Sequence, residues 1–160
     1  MTSLRTEYGP STAIAISLAS ITSGGAQQSA VVDNTGEMFI DVLVQLTVKL
    51  QAGTPGGEKS ILVYAYASED GTKLTDNATG SDGTISLRQP TNLRLLGVIY
   101  TPDSGALSYA SHPMSLLACF GGIAIPRKWG IAVLNQTGLT FSGTEGDHQK
   151  TYTGIRLQTV

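Results

Sequence analysis

The sequence predicts an all-β protein, an antiparallel β-sandwich of about eight to ten strands with a jelly-roll-like arrangement. In residues 37–50 every even position is apolar and most odd positions are polar. Successive side chains of a strand point to opposite faces, so this alternation predicts one buried face and one wet face. Charged residues are only 14% and glycine is 19 of 160, which is typical of strands joined by tight turns. No segment shows a sustained helical period.

The length of 160 residues is sufficient for one domain with a sizeable core. Residues 1–11 carry no periodicity and contain the breaker Gly9-Pro10, so we expect an N-terminal arm there. Residues 12–160 are expected to form a single β-sandwich domain.

The first half of the domain contains three predicted strands. Residues 12–21 place Ile14, Ile16 and Leu18 on one face, and residues 37–50 form the long alternating strand. Residues 60–68 are apolar on both faces, which predicts a central strand covered on two sides. A glycine-rich loop joins the last two strands, and we expect them to form a hairpin.

The second half begins with residues 69–92, the longest irregular stretch, where loops of this length are usually functional or mobile. Residues 114–120 are ambiguous between a strand and one or two helical turns. The other predicted strands are residues 28–32, 84–87, 93–101, 106–110, 129–134, 139–141 and 150–160.

Charge and cysteine content limit the kinds of partner that we expect. A net charge of −2 gives no electrostatic basis for binding nucleic acid. No apolar run approaches the roughly 20 residues of a membrane helix, and residues 12–21 lack the basic start of a secretory signal. Cys119 is the one cysteine and lies in an apolar run, which predicts a buried structural thiol in a protein that folds in a reducing cytoplasm.

Residues with acidic, imidazole or thiol side chains do not form a recognised motif. Calcium takes six to eight oxygens, but acidic residues of loops are also ordinary turn residues, so we expect no metal. The acidic loop residues are Asp70, Asp76, Asp82, Glu145 and Asp147. His112, His148 and Cys119 are too far apart in sequence to suggest zinc. Hydrolase motifs are absent from the sequence, so we assign no catalytic, cofactor or metal residue and expect no enzyme.

Arg127-Lys128 precedes Trp129, which allows two interpretations. A cation over the indole face would make a small binding feature. Alternatively, Trp129 anchors a strand in the core and the basic residues lie at its exposed edge. The alternation that follows in residues 129–134 favours the core anchor.

The C-terminal third resembles a family of small proteins encoded among the structural genes of tailed phages and prophages. The resemblance rests on F-G-G-I-A-I-P-R-K-W-G-I-A-V-L-N-Q-T-G and G-D-H-Q-K-T-Y-T-G, within residues 120–154. The family carries similar F-G-G-x-x-P-K-R-W-G and N-T-G-x-x-L-x-x-T-x-G-N-H-x-x-x-Y-T-G patterns. This chain departs from them in the order of Arg127-Lys128 and in Asp147, where asparagine is usual.

The resemblance implies a virion protein, made in the cytoplasm of the bacterial host, that decorates or cements the outer surface of a phage head. It implies a jelly roll that stands on the shell as a homotrimer, with the major capsid protein as partner. The motif does not identify the residues that contact the capsid or another subunit. The alternative is the head domain of a tail spike or fibre that binds a receptor or carbohydrate, because jelly rolls also serve as lectins.

Overall fold

The computed structural model describes residues 3–159, which form two antiparallel β-sheets packed face to face, with one short α-helix and one 3-10 turn at Glu145–Asp147. The elements are β1 (Leu4–Ala13), β2 (Ala26–Gln28), β3 (Val32–Asp33), β4 (Asp41–Lys49), β5 (Ser60–Ser68), β6 (Gly83–Thr84), β7 (Arg94–Tyr100), β8 (Ser108–Ala110), β9 (Met114–Ser115), α1 (Leu116–Cys119), β10 (Lys128–Gln136) and β11 (Gln149–Thr159). The predicted all-β sandwich is confirmed. These eleven strands slightly exceed the predicted eight to ten because β3, β6 and β9 are strands of only two residues.

The two sheets have distinct strand orders. The first sheet runs β1-β11-β4-β8, with β9 also paired to β4. The second sheet runs β6-β2-β10-β5-β7, with β3 also paired to β10. The first and last strands therefore meet in the first sheet, where β1 is an edge strand hydrogen-bonded to β11.

The main core lies between the sheets and follows the alternation predicted for the long strand. Val42, Val44, Leu46 and Val48 of β4 are fully buried. They belong to one apolar cluster with the inward residues of β5 and β10, which are Ile61, Val63, Ala65, Trp129, Ile131 and Val133. Burying such a side chain contributes about 1.5–3 kcal/mol, so this row dominates the stability of the fold.

The outer face of the second sheet is covered as well. Tyr66 of β5 is fully buried there, and its hydroxyl donates to the Ser29 carbonyl oxygen at 2.6 Å. Ile85, from the long irregular stretch, and Leu93, directly after it, pack in the same small cluster. The prediction of a central strand covered on two faces is confirmed, and the long stretch is its ordered cover.

The predicted strand at residues 37–50 begins later than expected, at Asp41. The Asn34 side chain accepts from the Phe39 N–H at 2.9 Å and donates to the Phe39 carbonyl oxygen at 3.2 Å, which closes a turn. Met38 has a positive φ of 49° and is 73% exposed, while Ile40 is 38% exposed. The expectation that both continue the buried row is wrong.

The predicted N-terminal arm and first strand also need correction. Residues 4–11 of the expected arm lie in β1 and pair with β11, whereas residues 1 and 2 lie outside the described residues. The segment 14–21, predicted as strand, has no ladder partner of its own. Ile14, Ile16 and Leu18 nevertheless point into the core, so the side-chain alternation was read correctly and the backbone pairing was not.

The expected hairpin of the long strand with residues 60–68 is wrong. Strand β4 lies in the first sheet and β5 in the second, so residues 50–59 cross between the sheets. Packed sheets are about 10 Å apart, a distance that a loop of this length spans easily. Strand β5 instead pairs with β7 and β10 in the second sheet, where β10 is likewise buried on both faces.

The ambiguous segment 114–120 contains both predicted alternatives. Met114–Ser115 pairs with β4, and Leu116–Cys119 makes one helical turn. The Ser115 hydroxyl accepts from the Ala118 N–H at 3.0 Å and caps this turn. Cys119, expected to be buried, is only half-buried.

Candidate interaction surface

Two of the acidic loop residues hold the segment that follows β1. Asp82 accepts from the hydroxyl and N–H of Ser17, at 2.5 and 3.0 Å. Glu145 accepts from the N–H groups of Leu18 and Ala19, at 2.9 and 2.8 Å. Burial raises the pKa of each carboxyl, but these hydrogen bonds and Lys150 outweigh it, so both pKa values are lowered. The carboxylates therefore replace the missing ladder partners of this segment.

The other three acids bind separate sets of groups, and a carboxylate oxygen of Asp147 also lies 3.1 Å from Lys49 Nζ of β4. Asp70 accepts from Thr72 and Lys73 N–H groups at 2.8 Å, Asp76 from the Thr91 hydroxyl at 2.6 Å, and Asp147 from the Ser142 hydroxyl at 2.6 Å. The N–H groups of Lys73 and Thr72 hold the pKa of Asp70 well below its usual range. Within residues 3–159, no three acidic, histidine or cysteine side chains come together as a metal site would require.

The histidines and the cysteine lie in separate surroundings. His112 is exposed after β8, whereas His148 is buried. Its Nδ1 accepts from the Lys49 N–H at 3.3 Å and its Nε2 lies 3.1 Å from the Ser142 carbonyl oxygen. Burial raises the pKa of the Cys119 thiol, which favours the unreactive protonated form.

The residues that carry the phage-family resemblance build the core and its turns. Trp129 is fully buried and meets Tyr152 edge-on, with ring centroids 5.3 Å apart, so the core-anchor interpretation is confirmed. A side chain at Gly130 would collide with the Tyr66 ring, and one at Gly154 with Phe39. These side chains of the motif therefore specify the packing of the core.

Strands β1 and β11 continue beyond the rest of the first sheet. The last partner of β11 on β4 is Asp41, opposite Ile155, so residues 156–159 pair only with residues 4–7. We call residues 4–8 and 155–159 the terminal ribbon. Two strands alone are marginally stable in water, so a ribbon of this kind benefits from a partner.

The terminal ribbon has one uncharged face and one charged face. The register places Leu4, Thr6 and Tyr8 opposite Thr159, Leu157 and Ile155, and opposed residues share a face. Leu4 and Tyr8 are each 66% exposed and Leu157 is 52% exposed. The reverse face carries Arg5, Glu7, Arg156 and Gln158, with Arg156 Nε 3.1 Å from a Glu7 carboxylate oxygen.

The uncharged ribbon face continues onto the outer face of the first sheet. A shallow depression of about 330 Å³ lies there, and no formally charged side chain lines it. Its lining residues are Tyr8, Ser11, Leu43, Gln45, Pro113, Thr151 and Thr153. A surface without charge fits a partner that presents apolar and hydroxyl groups.

Exposed apolar side chains also gather at the end of the sandwich from which β4 starts. Met38, Ile40 and Ile123, which we call the apolar end, are 73%, 38% and 92% exposed. The Ile40 N–H donates to the Ile155 carbonyl oxygen, and the Asn34 N–H donates to the Arg127 carbonyl oxygen at 2.8 Å. These bonds place the loop before β4 and the loop before β10 at the same end of the molecule. Apolar side chains that are exposed at one end of a molecule make that end a candidate contact site.

Sequence reasoning did not find either surface, although signals for both were present. Residues 4–8 and 155–159 each alternate apolar or hydroxyl side chains with charged or amide ones, a strand pattern of five residues. The sequence pattern places Met38 and Ile40 in the buried row because they occupy even positions, like the buried residues of β4. Only the turn at Asn34 reveals that they leave the strand.

Among the described residues, no helix is long and apolar enough to cross a bilayer. Comparison of the chain with protein-family models, curated proteins and solved structures gave no match in any of the three. Its function is therefore inferred from the fold, the surface and the resemblance of the C-terminal third.

Proposed function

We propose that the chain is a virion structural protein that binds the outer surface of a phage head, through the major capsid protein, and stabilises the shell. The observation that carries this proposal is the apolar end, where Met38 is 73% and Ile123 is 92% exposed to solvent. In a decoration protein, these side chains become buried against the shell.

Strand order supports the jelly-roll interpretation, which is common among capsid-associated proteins. When the two-residue strands β3, β6 and β9 are set aside, each sheet has four strands, in the orders β1-β11-β4-β8 and β2-β10-β5-β7. The resemblance of residues 120–154 to phage structural proteins points in the same direction. The homotrimer that the resemblance implies stays a prediction, and it is an alternative to the two-fold dimer proposed below.

A stiff sandwich stabilises a shell by binding only the assembled state. Any molecule that binds the native assembly and not its dissociated parts shifts the equilibrium toward the assembly. Fully burying one large apolar side chain contributes about 1.5–3 kcal/mol. Several apolar ends per shell facet would therefore resist the loss of capsid subunits.

The direct test is binding of purified protein to heads that lack it, followed by co-sedimentation. Ile123→Ser and Met38→Ser should each raise the Kd about tenfold or more, because each removes apolar area from the contact. Tyr100→Ser is the matched control, since Tyr100 is 72% exposed at the opposite end of the sandwich and should not matter. Equal binding by all three variants would contradict the assignment of the apolar end.

Copy number in purified particles distinguishes this function from the alternative. Quantitative mass spectrometry, scaled to the major capsid protein, should find a comparable number of copies. A handful of copies would favour the tail-spike or fibre head domain instead. Absence from the particle would contradict a virion role altogether.

A further inference from the structure

We propose that two copies of the chain associate through the free edge of β1, which pairs antiparallel with β1 of the second copy about Thr6. The contact is between copies of the chain and does not depend on capsid binding. It is carried by three features of residues 4–8, namely the direction of their backbone groups, the order of their charges and the bulge that follows them.

The backbone of β1 offers hydrogen-bonding groups at alternate residues. In an antiparallel sheet, a strand's residues bond alternately to one neighbour and to the other. The Ile14 N–H donates to the Lys150 carbonyl oxygen at 2.9 Å, so even-numbered residues of β11 bond β1. Arg156 and Gln158 then bond their partners Glu7 and Arg5. Leu4, Thr6 and Tyr8 are left with N–H and carbonyl groups that face the open edge.

An antiparallel pairing centred on Thr6 would hydrogen-bond all of these free N–H and carbonyl groups. Thr6 of one copy lies opposite Thr6 of the other, and Leu4 lies opposite Tyr8. Each opposed pair exchanges both of its backbone hydrogen bonds. The pairing is isologous, because each copy presents the same surface to the other, and it therefore closes as a two-fold dimer.

The side chains of residues 4–8 complement those of the same residues in an antiparallel second copy. In the proposed register Arg5 lies opposite Glu7 of the other copy, twice, and opposite charges across a ladder stabilise it. Arg5 makes no ion pair within residues 3–159, so it is available for this contact. On the other face, Leu4 meets Tyr8, and two exposed apolar residues cover each other.

The bulge at Gly9-Pro10 limits the pairing to residues 4–8. The register of β1 with β11 shifts between Tyr8 and Ser11, and proline has no N–H to donate. Proteins use such features to prevent indiscriminate edge pairing. The other long edge, β7, has Arg94 but no acidic residue, so it lacks the self-complementary charges of β1.

The experiment is sedimentation equilibrium of wild type, Arg5→Glu and Glu7→Arg over a wide concentration range. Wild type should dimerise, and either substitution should raise the dimer Kd about tenfold, because like charges then oppose each other twice. An equimolar mixture of the two variants restores two opposite-charge pairs and should give a heterodimer near wild-type affinity. Rescue by mixing excludes damage to the fold as the cause.

Lys73→Glu is the control, since Lys73 is exposed on a distant loop and the substitution changes net charge as Arg5→Glu does. It should dimerise like wild type. As a second readout, hydrogen exchange at the Leu4, Thr6 and Tyr8 amides should slow in the dimer and be fast in Arg5→Glu. A wild-type monomer at all concentrations, a trimer, or failure of the mixture to associate would overturn the proposal.

Discussion

Asn135 shows how a single residue of the phage-like motif acts in the structure. Its amide nitrogen donates to the carbonyl oxygens of Ile21 and Leu139, at 2.9 and 2.7 Å. Its oxygen accepts from the N–H and hydroxyl of Thr137, at 3.0 and 2.7 Å. All of these groups lie at the end of β10, where Gly138 completes the turn with a φ of 76°. The motif therefore encodes a buried turn.

Asn135→Ala should destabilise the protein by about 2 kcal/mol, because it leaves a buried N–H of Thr137 without its acceptor. Thermal or urea unfolding measures the effect. Gln136→Ala is the neighbouring control, since the Gln136 side chain has no role in this network. Equal midpoints for the two variants would show that the network adds nothing to stability.

Val44→Asp should prevent soluble expression, whereas Gln45→Asp should be tolerated. Val44 is fully buried on the inner face of β4, and an unpaired carboxylate there costs more than about 4 kcal/mol. Gln45 is exposed on the outer face. Comparing the soluble yield of the two variants is the measurement. Similar behaviour of both would mean that the register of β4 is wrong.

At the scale of elements, the segment 14–19 is held in strand-like form without a strand partner. Its alternate apolar side chains enter the core, while Asp82 and Glu145 accept hydrogen bonds from the N–H groups of residues 17–19. Ionised acceptors make stronger hydrogen bonds than neutral ones. Because both carboxylates must be ionised, this element depends on pH.

The stability of the protein should fall as pH drops below about 5. The folded-state pKa values of Asp82 and Glu145 lie below the ordinary values of 3.8 and 4.5. Their contribution is therefore complete above those ordinary values and is lost as pH falls through the lower folded-state pKa. The double variant Asp82→Asn/Glu145→Gln should be less stable at neutral pH and lose stability less steeply in acid.

Melting temperature measured against pH tests this linkage. Glu37→Gln is the control, because Glu37 is exposed and makes no hydrogen bond or ion pair among the described residues. It should follow the wild-type curve. Parallel curves for the double variant and wild type would place the acid sensitivity in other groups.

Elements defined by side-chain periodicity could be predicted from the sequence, and elements defined by backbone partners could not. The buried row of β4 and the two-faced burial of β5 follow from the alternation alone. The supposed hairpin failed because a glycine-rich loop serves equally for a turn within a sheet and for a crossing between sheets. The prediction for Met38 and Ile40 is wrong because the alternation of even and odd positions does not show where a strand begins.

At the scale of the whole molecule, the terminal ribbon could not be predicted because it depends on long-range pairing. The terminal ribbon joins the two ends of the chain, as Leu4 lies opposite Thr159. Five alternating residues at each end are too short a signal to identify partners. Most of the characteristic side chains of the most recognisable motif, in residues 120–154, build the core or its turns, but Ile123 of the apolar end also lies within it. The fold and the candidate surfaces are therefore specified by largely different residues.

Removing residues 1–8 should leave the sandwich folded, because residues 4–8 are largely exposed and contact mainly β11. Stability is not uniform across a protein, and a ribbon with few buried contacts belongs to its low-stability part. At concentrations below the dimer Kd, we expect the melting temperature to fall by no more than about 4 °C. Hydrogen exchange should accelerate at Arg156 and Gln158 and stay slow at Val44 and Ile131. A much larger fall would instead mean that β1 is required for the core to form.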